Sequence, residues 1–496
     1  MTLSTALSTA QSILSNTGTQ TGVVSKNISN GQNANYVRRS AVLTTGGNGA
    51  QVVAITRSQN TALLRQTIES TATHSGQTAL LGGLQEIKSL MGGNNYETSP
   101  SKLISNLRNS LQTWASKPSE TTLGATAVST AQDMANGLNN AANELQAIRK
   151  RADSEIAQNV DTLNQLLKQF ETANNKVKQE VAVGGNANDA LDERETLLKQ
   201  ISQIVGVTSV VRENQDIALY TSEGTVLFET VARTVSFAPT VAYGAATTGN
   251  SVFVDGVAVK AGVGSDTSAK GSLQALLQIR DEIAPLFQSQ LDEIARGLIV
   301  AFAETEQVTP PATARVAPGL FTWSPTPAPV PPALTPMPGS ASVQAGLASL
   351  IAVNAAVIPP SGKPNLIRDG GINGDTFVVN ATKSTGYSDL LNKLDQAFDA
   401  KIAFNDATQI GGSHSLQAFA ADSIGWLEMR RSTAASASEN KLAMLSRATD
   451  AYSSETGVSL DEELSLLLDI EQSYKAAAKL MSTVDAMMQA LLEAAR

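Results

Sequence analysis

Residues 467–492 read LLDIEQSYKAAAKLMSTVDAMMQALL. Leu467, Ile470, Tyr474, Ala477, Met481, Val484, Met488 and Leu491 recur at alternating spacings of three and four, the pattern of the a and d positions of a heptad. An apolar stripe on a helix has to be buried against something or the helix frays. This stripe runs to the end of the sequence, so its cover must come from elsewhere in the chain or from another chain.

The same alternation stands at the other end, through Leu3, Leu7, Ala10, Leu14, Thr17, Thr21, Val24 and Ile28. Two of those positions are threonine, so the seam is thinner. Pairing the two termini gives a coiled coil from which everything between hangs as an insertion. Two separate amphipathic helices on a globular body would use the same letters. The first helix is expected to stop at NISNGQNANYVRR, residues 27–39, where Asn27, Asn30, Gly31, Asn33 and Asn35 break the pattern.

Composition bounds the rest. A chain of 496 residues is too long for one core and implies two to four folded units. Aromatics make up only 4%, while Ala, Ser, Thr, Asn and Gln abound, which suits long helices packed through small residues. The formal charge of −9 is spread without basic runs, unlike a nucleic-acid surface. There is no cysteine, hence no disulfide, thiolate metal site or cysteine nucleophile. The two histidines, His74 and His414, lack metal-ligand spacing. No basic, apolar leader opens the sequence and no window supplies about 20 apolar residues for a membrane span.

Helical periodicity is expected over 60–92, 101–116, 125–181 and 189–203. In the third of these, Val160, Leu163, Leu166, Leu167, Phe170, Ala173 and Val177 share one face. The period falls to two from Val205, through VTSVV, DIALYTS and TVLFET, and FVDGVAVK carries an Asp255-Gly256 hairpin signal. Helix resumes over 271–307. Ten of the 17 prolines then lie between Pro310 and Pro338, a composition for polyproline and turns. The expected organisation is nested: a terminal helical assembly domain from 1–45 and 455–496; a helical body from 46–308 and 413–454 with a small β unit at about 205–265; and an outer α+β domain at 309–412, entered through the prolines and holding one helix near 388–404. The fold class is mainly α with inserted β-rich domains.

No chemical motif survives comparison with a structural explanation. Asp192 and Glu193 point about 100° apart on a helix and cannot flank a substrate, and Arg194 reads as a surface ion-pair partner. Asp461, Glu462 and Glu463 follow Gly457 and Ser459, where carboxylates cap a helix. The segments GGNGA (46–50), GGNN (92–95) and GGINGD (370–375) lack the lysine tail of a phosphate loop and read as turns. No catalytic, cofactor or metal residues are assigned, and an enzyme is not expected.

Three stretches together resemble the bacterial flagellar axial proteins. Asn27, Ile28, Ser29 and Asn30 match the box that ends the family's N-terminal helix, with Tyr36 as its aromatic; Asn33-Ala34-Asn35 departs from the Thr-Pro-Gly many members carry. The L-D-x-R-x-x-L-L segment from Leu191 to Leu198, leading into IVGV, and GSLQALLQIRDEI at 271–283 favour the hook-associated branch, and the C-terminal SLDEE…Y…A…M…VD…M pattern at 459–488 is common to hook and rod proteins. The resemblance implies a structural junction protein outside the cell, exported without a cleaved signal and polymerising through its terminal helices to connect the hook to the filament side; a hook subunit or second junction protein is the alternative. Implied partners are copies of itself in a ring, the hook protein, the next junction protein or flagellin, and an export chaperone at the C-terminal helix, with neither nucleic acid nor membrane insertion. The assembly seam would be Leu3, Leu7, Leu14, Val24, Ile28, Leu467, Ile470, Tyr474, Met481, Val484, Met488 and Leu491.

Overall fold

A computed structural model of the chain describes residues 3–46, 49–308, 314–323 and 337–494. The chain opens with helix α1 (Leu3–Ser29) and a β-hairpin of β1 (Arg39–Gly46) and β2 (Gly49–Arg57), bulged between Val42 and Leu43. Helices α2 (Thr61–Leu90), α3 (Pro100–Ser116), α4 (Thr121–Ala182) and α5 (Asn188–Ile204) follow, each within a few residues of its expected range. Local chemistry fixes their starts. The Asn60 side chain accepts from the amides of Ala62 and Leu63, and Ser99 caps α3 with Pro100 at its first position.

A three-stranded antiparallel sheet comes next, of β3 (Val207–Val211), β4 (Ile217–Thr221) and β5 (Val226–Phe228). A smaller one holds β6 (Val235–Ser236), β7 (Phe253–Val254) and β8 (Val257–Ala258). The last two join through Asp255 and Gly256, both at positive φ, as the hairpin signal requires. Helix α6 (Ser272–Gln278) runs through a π turn (Ile279–Ile283) into α7 (Ala284–Ala301), which ends earlier than the sequence spacing suggests.

The expected proline-rich passage lies mostly outside the described residues. Beyond it stand three short helices, α8 (Leu347–Leu350), α9 (Asn365–Asp369) and α10 (Asp389–Ala397). The helix expected over 388–404 stops at Ala397, and Lys401–Phe404 is a strand paired with Gly412–Ser415. Phe404 is buried there in stacked contact with Phe419, so tertiary packing fixes the strand. The chain closes with α11 (Leu416–Thr456) and α12 (Leu460–Ala494).

The 62-residue α4 organises the interior, being roughly 90 Å long at about 1.5 Å per residue. Its first half, from Ala127 to Ile148, lies in one hydrophobic core with α3, α7, the second half of α2 and the first half of α11. Its second half, from Ala152 to Ala173, lies in another with α5, α6 and the sheets. Buried residues between 320 and 404, including Phe321, Val357, Leu391 and Phe398, belong to the first core. The stretch expected as an outer domain thus shares the packing of the helical body.

Candidate assembly interface

Helices α1 and α12 pack against each other along their lengths. They run antiparallel, since Leu7 meets the Met488 end of α12 while Asn27 meets Glu463 near its start. The heptad divides into two rows. Ile470, Ala477 and Val484 are buried, facing Ala10, Thr17 and Val24, which are buried too. The alternate row is open: Leu467 and Met481 are half-buried, while Tyr474 and Met488 are 54% and 46% exposed; Leu491, which follows Val484 in the first row, is itself 63% exposed. On α1, Leu7, Leu14 and Ile28 are half-buried; the Leu3 side chain lies outside the described residues. Leu7, Leu14, Tyr474, Met481 and Met488 line a groove of about 520 Å³. One stripe therefore pairs the termini within the chain while its neighbour remains open to solvent.

The residues after α1 fasten this pair to the body. The Asn27 amide nitrogen donates to the Arg39 carbonyl (2.8 Å) and to Glu463 Oε2 (3.0 Å), and its oxygen accepts from the Tyr36 hydroxyl (2.8 Å) and the Arg39 amide (3.1 Å). Every hydrogen-bonding position of this fully buried side chain is used. Ile28, by contrast, is half-buried, and the Ser29 and Asn30 side chains bond locally, both donating to the Lys26 carbonyl and Asn30 also to the Ser29 hydroxyl. Arg38 Nε donates to Glu463 Oε1 at 2.7 Å, and its backbone amide to the Thr456 carbonyl at 2.8 Å. Capping explains Asp461; it does not explain Glu463, which is wholly buried and joins the start of α12 to the end of α1.

The hairpin carries the fastening onward. Arg39 and Arg57, cross-strand partners at its base, both reach α5. Arg39 Nη2 lies 2.5 Å from Asp189 and 2.9 Å from Asp192. Arg57 Nη1 donates to Glu195 at 2.8 Å, and its Nη2 stands 3.0 Å from Asp192, a charge pair out of line for a hydrogen bond. The Tyr452 hydroxyl donates to the other Glu195 oxygen at 2.7 Å. Desolvation works to raise the Asp189 carboxyl, but bonds from Arg39 and Lys26 outweigh it and hold it below the usual range. Burial pushes Asp192 up against the pull of Arg57 and Arg39, and likewise raises Tyr36.

Asp192 is thus structural, as its position suggests. Arg194 is not on the surface: it is buried, donates to Asn174 and the Gln215 carbonyl, and burial pushes its guanidinium down to about 10. Sequence reasoning placed Arg38 only as a neighbour of Tyr36 in the motif and passed over Arg39, Arg57 and the hairpin itself. The signal was present in the period-two run AVLTTGGNGAQVVAITR, residues 41–57, bounded by arginines.

Two family models match. The "Flagellar hook-associated protein FlgK helical domain" covers residues 84–308, and the "Flagellar basal body rod FlgEFG protein C-terminal" covers 450–494. Curated relatives are named Flagellar hook-associated protein 1. That of Escherichia coli (strain K12) is 25% identical over 316 residues, 60% of this chain and 56% of its own length; that of Bacillus subtilis (strain 168) is 24% identical over 430 residues, 82% and 78%. The Salmonella typhimurium protein, 26% identical, is matched over 52% of its length, so the chain spans little more than half of the enterobacterial relatives. The solved structure of the flagellar hook junction protein FlgK from Burkholderia pseudomallei shares the fold, with a TM-score of 0.54 at 14% identity over 78% of this chain and 99% of that one. The C-terminal match fits axial proteins in general, and the match through the helical body selects among them: over that body the chain is similar to the flagellar hook-associated proteins 1.

Proposed function

We propose that this chain is a structural junction protein of the bacterial flagellum, outside the cell, whose terminal helices pack against those of neighbouring copies to connect the hook to the filament side. The observation that carries the reading is the open row of the heptad. Tyr474 and Met488, with the half-buried Met481 between them, are large apolar side chains on a helix whose other row is paired from Ile470 to Val484, and such a stripe is covered most directly by another helix. The seam residues form one interface, with Leu7 and Leu14 across the groove, and the Asn27 box sets the helix pair at a fixed angle to the body. Residues 1–45 and 455–496 act as the assembly domain, 46–308 and 413–454 as the helical body, and 309–412 as an outer α+β region whose buried residues pack into that body. No helix among the described residues is long and apolar enough to cross a membrane, which accords with export through the flagellar apparatus.

In this reading the partners are copies of the chain in a ring, the hook protein on one side and the next junction protein or flagellin on the other, with an export chaperone on α12 beforehand. The rod-protein model over 450–494 supports a second reading, a different axial component such as a hook subunit. Electron microscopy of cells lacking the gene, with a blot for flagellin in the medium, separates them. Bare hooks with flagellin lost to the medium are expected; missing hooks would favour the second reading, and normal filaments would exclude both.

A further inference from the structure

A second uncovered surface lies at the level where the helix pair meets the body. Between α2, α5 and β3 runs a cleft of about 480 Å³, floored by Leu64, Ile68, Leu198 and Ile217. Its wall is the edge strand β3, hydrogen-bonded to β4 on one side only, whose Val210 and Val211 are 47% and 61% exposed. Four arginines line it, Arg57, Arg65, Arg194 and Arg212, against the one carboxylate of Glu195. Arg57 and Arg194 are buried and already bonded. Arg212 makes only long contacts, 3.4–3.5 Å, to Glu229 and the Tyr220 hydroxyl, and Arg65 is exposed with no ion pair among the described residues. The cleft is apolar at the bottom and positive at the rim.

The chain also carries the converse surface. On the first turns of α12, Leu464 and Leu468 are 50% and 61% exposed, one turn apart and flanked on the same face by Asp461 and Glu471. Glu471 has only an exposed pairing with Lys475. This face lies about a third of a turn from the buried heptad row, so it remains free when α12 is paired with α1. Both surfaces sit at the same level: Tyr452, one turn before the end of α11, lines the cleft, and Glu463, at the start of α12, is bonded to Arg38.

We infer that the cleft between α2, α5 and β3 receives the Asp461–Glu471 face of α12 from a second copy of this chain, Leu464 and Leu468 entering over Val210 and Val211 while the acidic residues meet Arg65 and Arg212. The inference rests on the assembly reading above and adds a second lateral contact, distinct from the open heptad row.

A sequence without cysteine gives a clean test. Cells would co-express two full-length single-cysteine chains, Arg65→Cys and Leu468→Cys, and their isolated flagella would be oxidised and run without reductant. A disulfide-linked dimer requiring both chains is expected, absent when either is expressed alone; Arg65→Glu should reduce incorporation about tenfold, and Asp461→Arg in the same chain should restore it. Both chains present in flagella but never cross-linked would overturn the cleft contact and leave the assembly reading standing. Absence from isolated flagella of an otherwise unaltered tagged chain would overturn both.

Discussion

Asn27 and Glu463 stand 436 positions apart in the chain and 3.0 Å apart in space, and neither exposes any surface. The bond closes the protein on itself, and the buried carboxylate is tolerable only because Arg38 meets its other oxygen. Glu463→Ala leaves the Asn27 amide and the Arg38 guanidinium short of an acceptor, at a cost of about 3–5 kcal/mol. Hydrogen exchange should show α1 and the first turns of α12 opening together while α4 keeps its protection. Unchanged exchange in α1 would mean that the bond does not hold the helices.

The two heptad rows separate assembly from folding. Leu491→Asp alters an exposed position beyond Val484, and surface changes of this kind move stability by about 0.5 kcal/mol or less; Met481→Asp, half-buried in the groove of the open row, costs somewhat more. Both should abolish incorporation into flagella while far-ultraviolet circular dichroism stays native. Val484→Asp, in the buried row, should instead release α12 from α1 and expose it to protease in the isolated chain. Normal motility with Met481→Asp would remove the open row from the mechanism.

Arg57 neutralises two carboxylates at the base of the hairpin. Arg57→Ala strands Asp192 and Glu195 in a poorly solvated site and should cost about 3–5 kcal/mol. The loss should be smaller in Arg57→Ala/Asp192→Asn, where one uncompensated charge has been removed. A double-mutant cycle in chemical denaturation reads the coupling, and strict additivity would contradict it.

Asp292 on α7 is buried beneath the chain returning from the proline-rich stretch, accepting from the amides of Gly346 (2.9 Å) and Ala348 (2.8 Å) and from Gln288. Burial raises its carboxyl from 3.8 to about 6, the three hydrogen bonds opposing and Glu293 adding to the rise. An acid raised in the folded state binds more protons folded than unfolded between those values. Its stabilising contribution is therefore full below about pH 4 and is lost as pH rises through 6, on the order of 3 kcal/mol. The denaturation midpoint of the wild type minus that of Asp292→Asn should fall across this window; a flat difference would exclude the titration.

Gly76 sits mid-helix in α2, where alanine ordinarily stabilises by about 1 kcal/mol. Here a Cβ would fall 2.5 Å from the Ala269 carbonyl oxygen, which is backbone and cannot swing aside. Gly76→Ala should destabilise by about 1–3 kcal/mol, read as a lowered melting temperature. A rise would show that the loop at 269 yields.

What the sequence disclosed, and what it withheld, divides by the range of the interaction. The terminal helices were legible because a period of three and four is written into consecutive residues, and so were α2 to α5 and the Asp255-Gly256 turn. The partition of the heptad into a buried and an open row was not, since Met488 and Val484 look alike until α1 is placed. Glu463 read as a cap because its partners, Asn27 and Arg38, lie at the far end of the chain. Arg194 read as exposed for the same reason: a charged residue between acidic neighbours gives no hint that Asn174 and the Gln215 carbonyl await it in the interior. Lys401–Phe404 followed an amphipathic helix closely enough to be taken into it, and stacking of Phe404 on Phe419 decided otherwise.

The backbone enters the body at Arg38 and leaves it at Thr456, and those two crossings are themselves hydrogen-bonded at 2.8 Å. Two connections so close together have almost no lever arm, so they resist pulling far better than twisting. Torque on the helix pair must be borne off that axis, by the arginines of the hairpin gripping Asp189, Asp192 and Glu195 along two turns of α5. The hairpin, itself bonded to α1 through Asn16 and Val52, is then an outrigger, and resistance to twisting is expected to rest on these side-chain ties more than on the two covalent links.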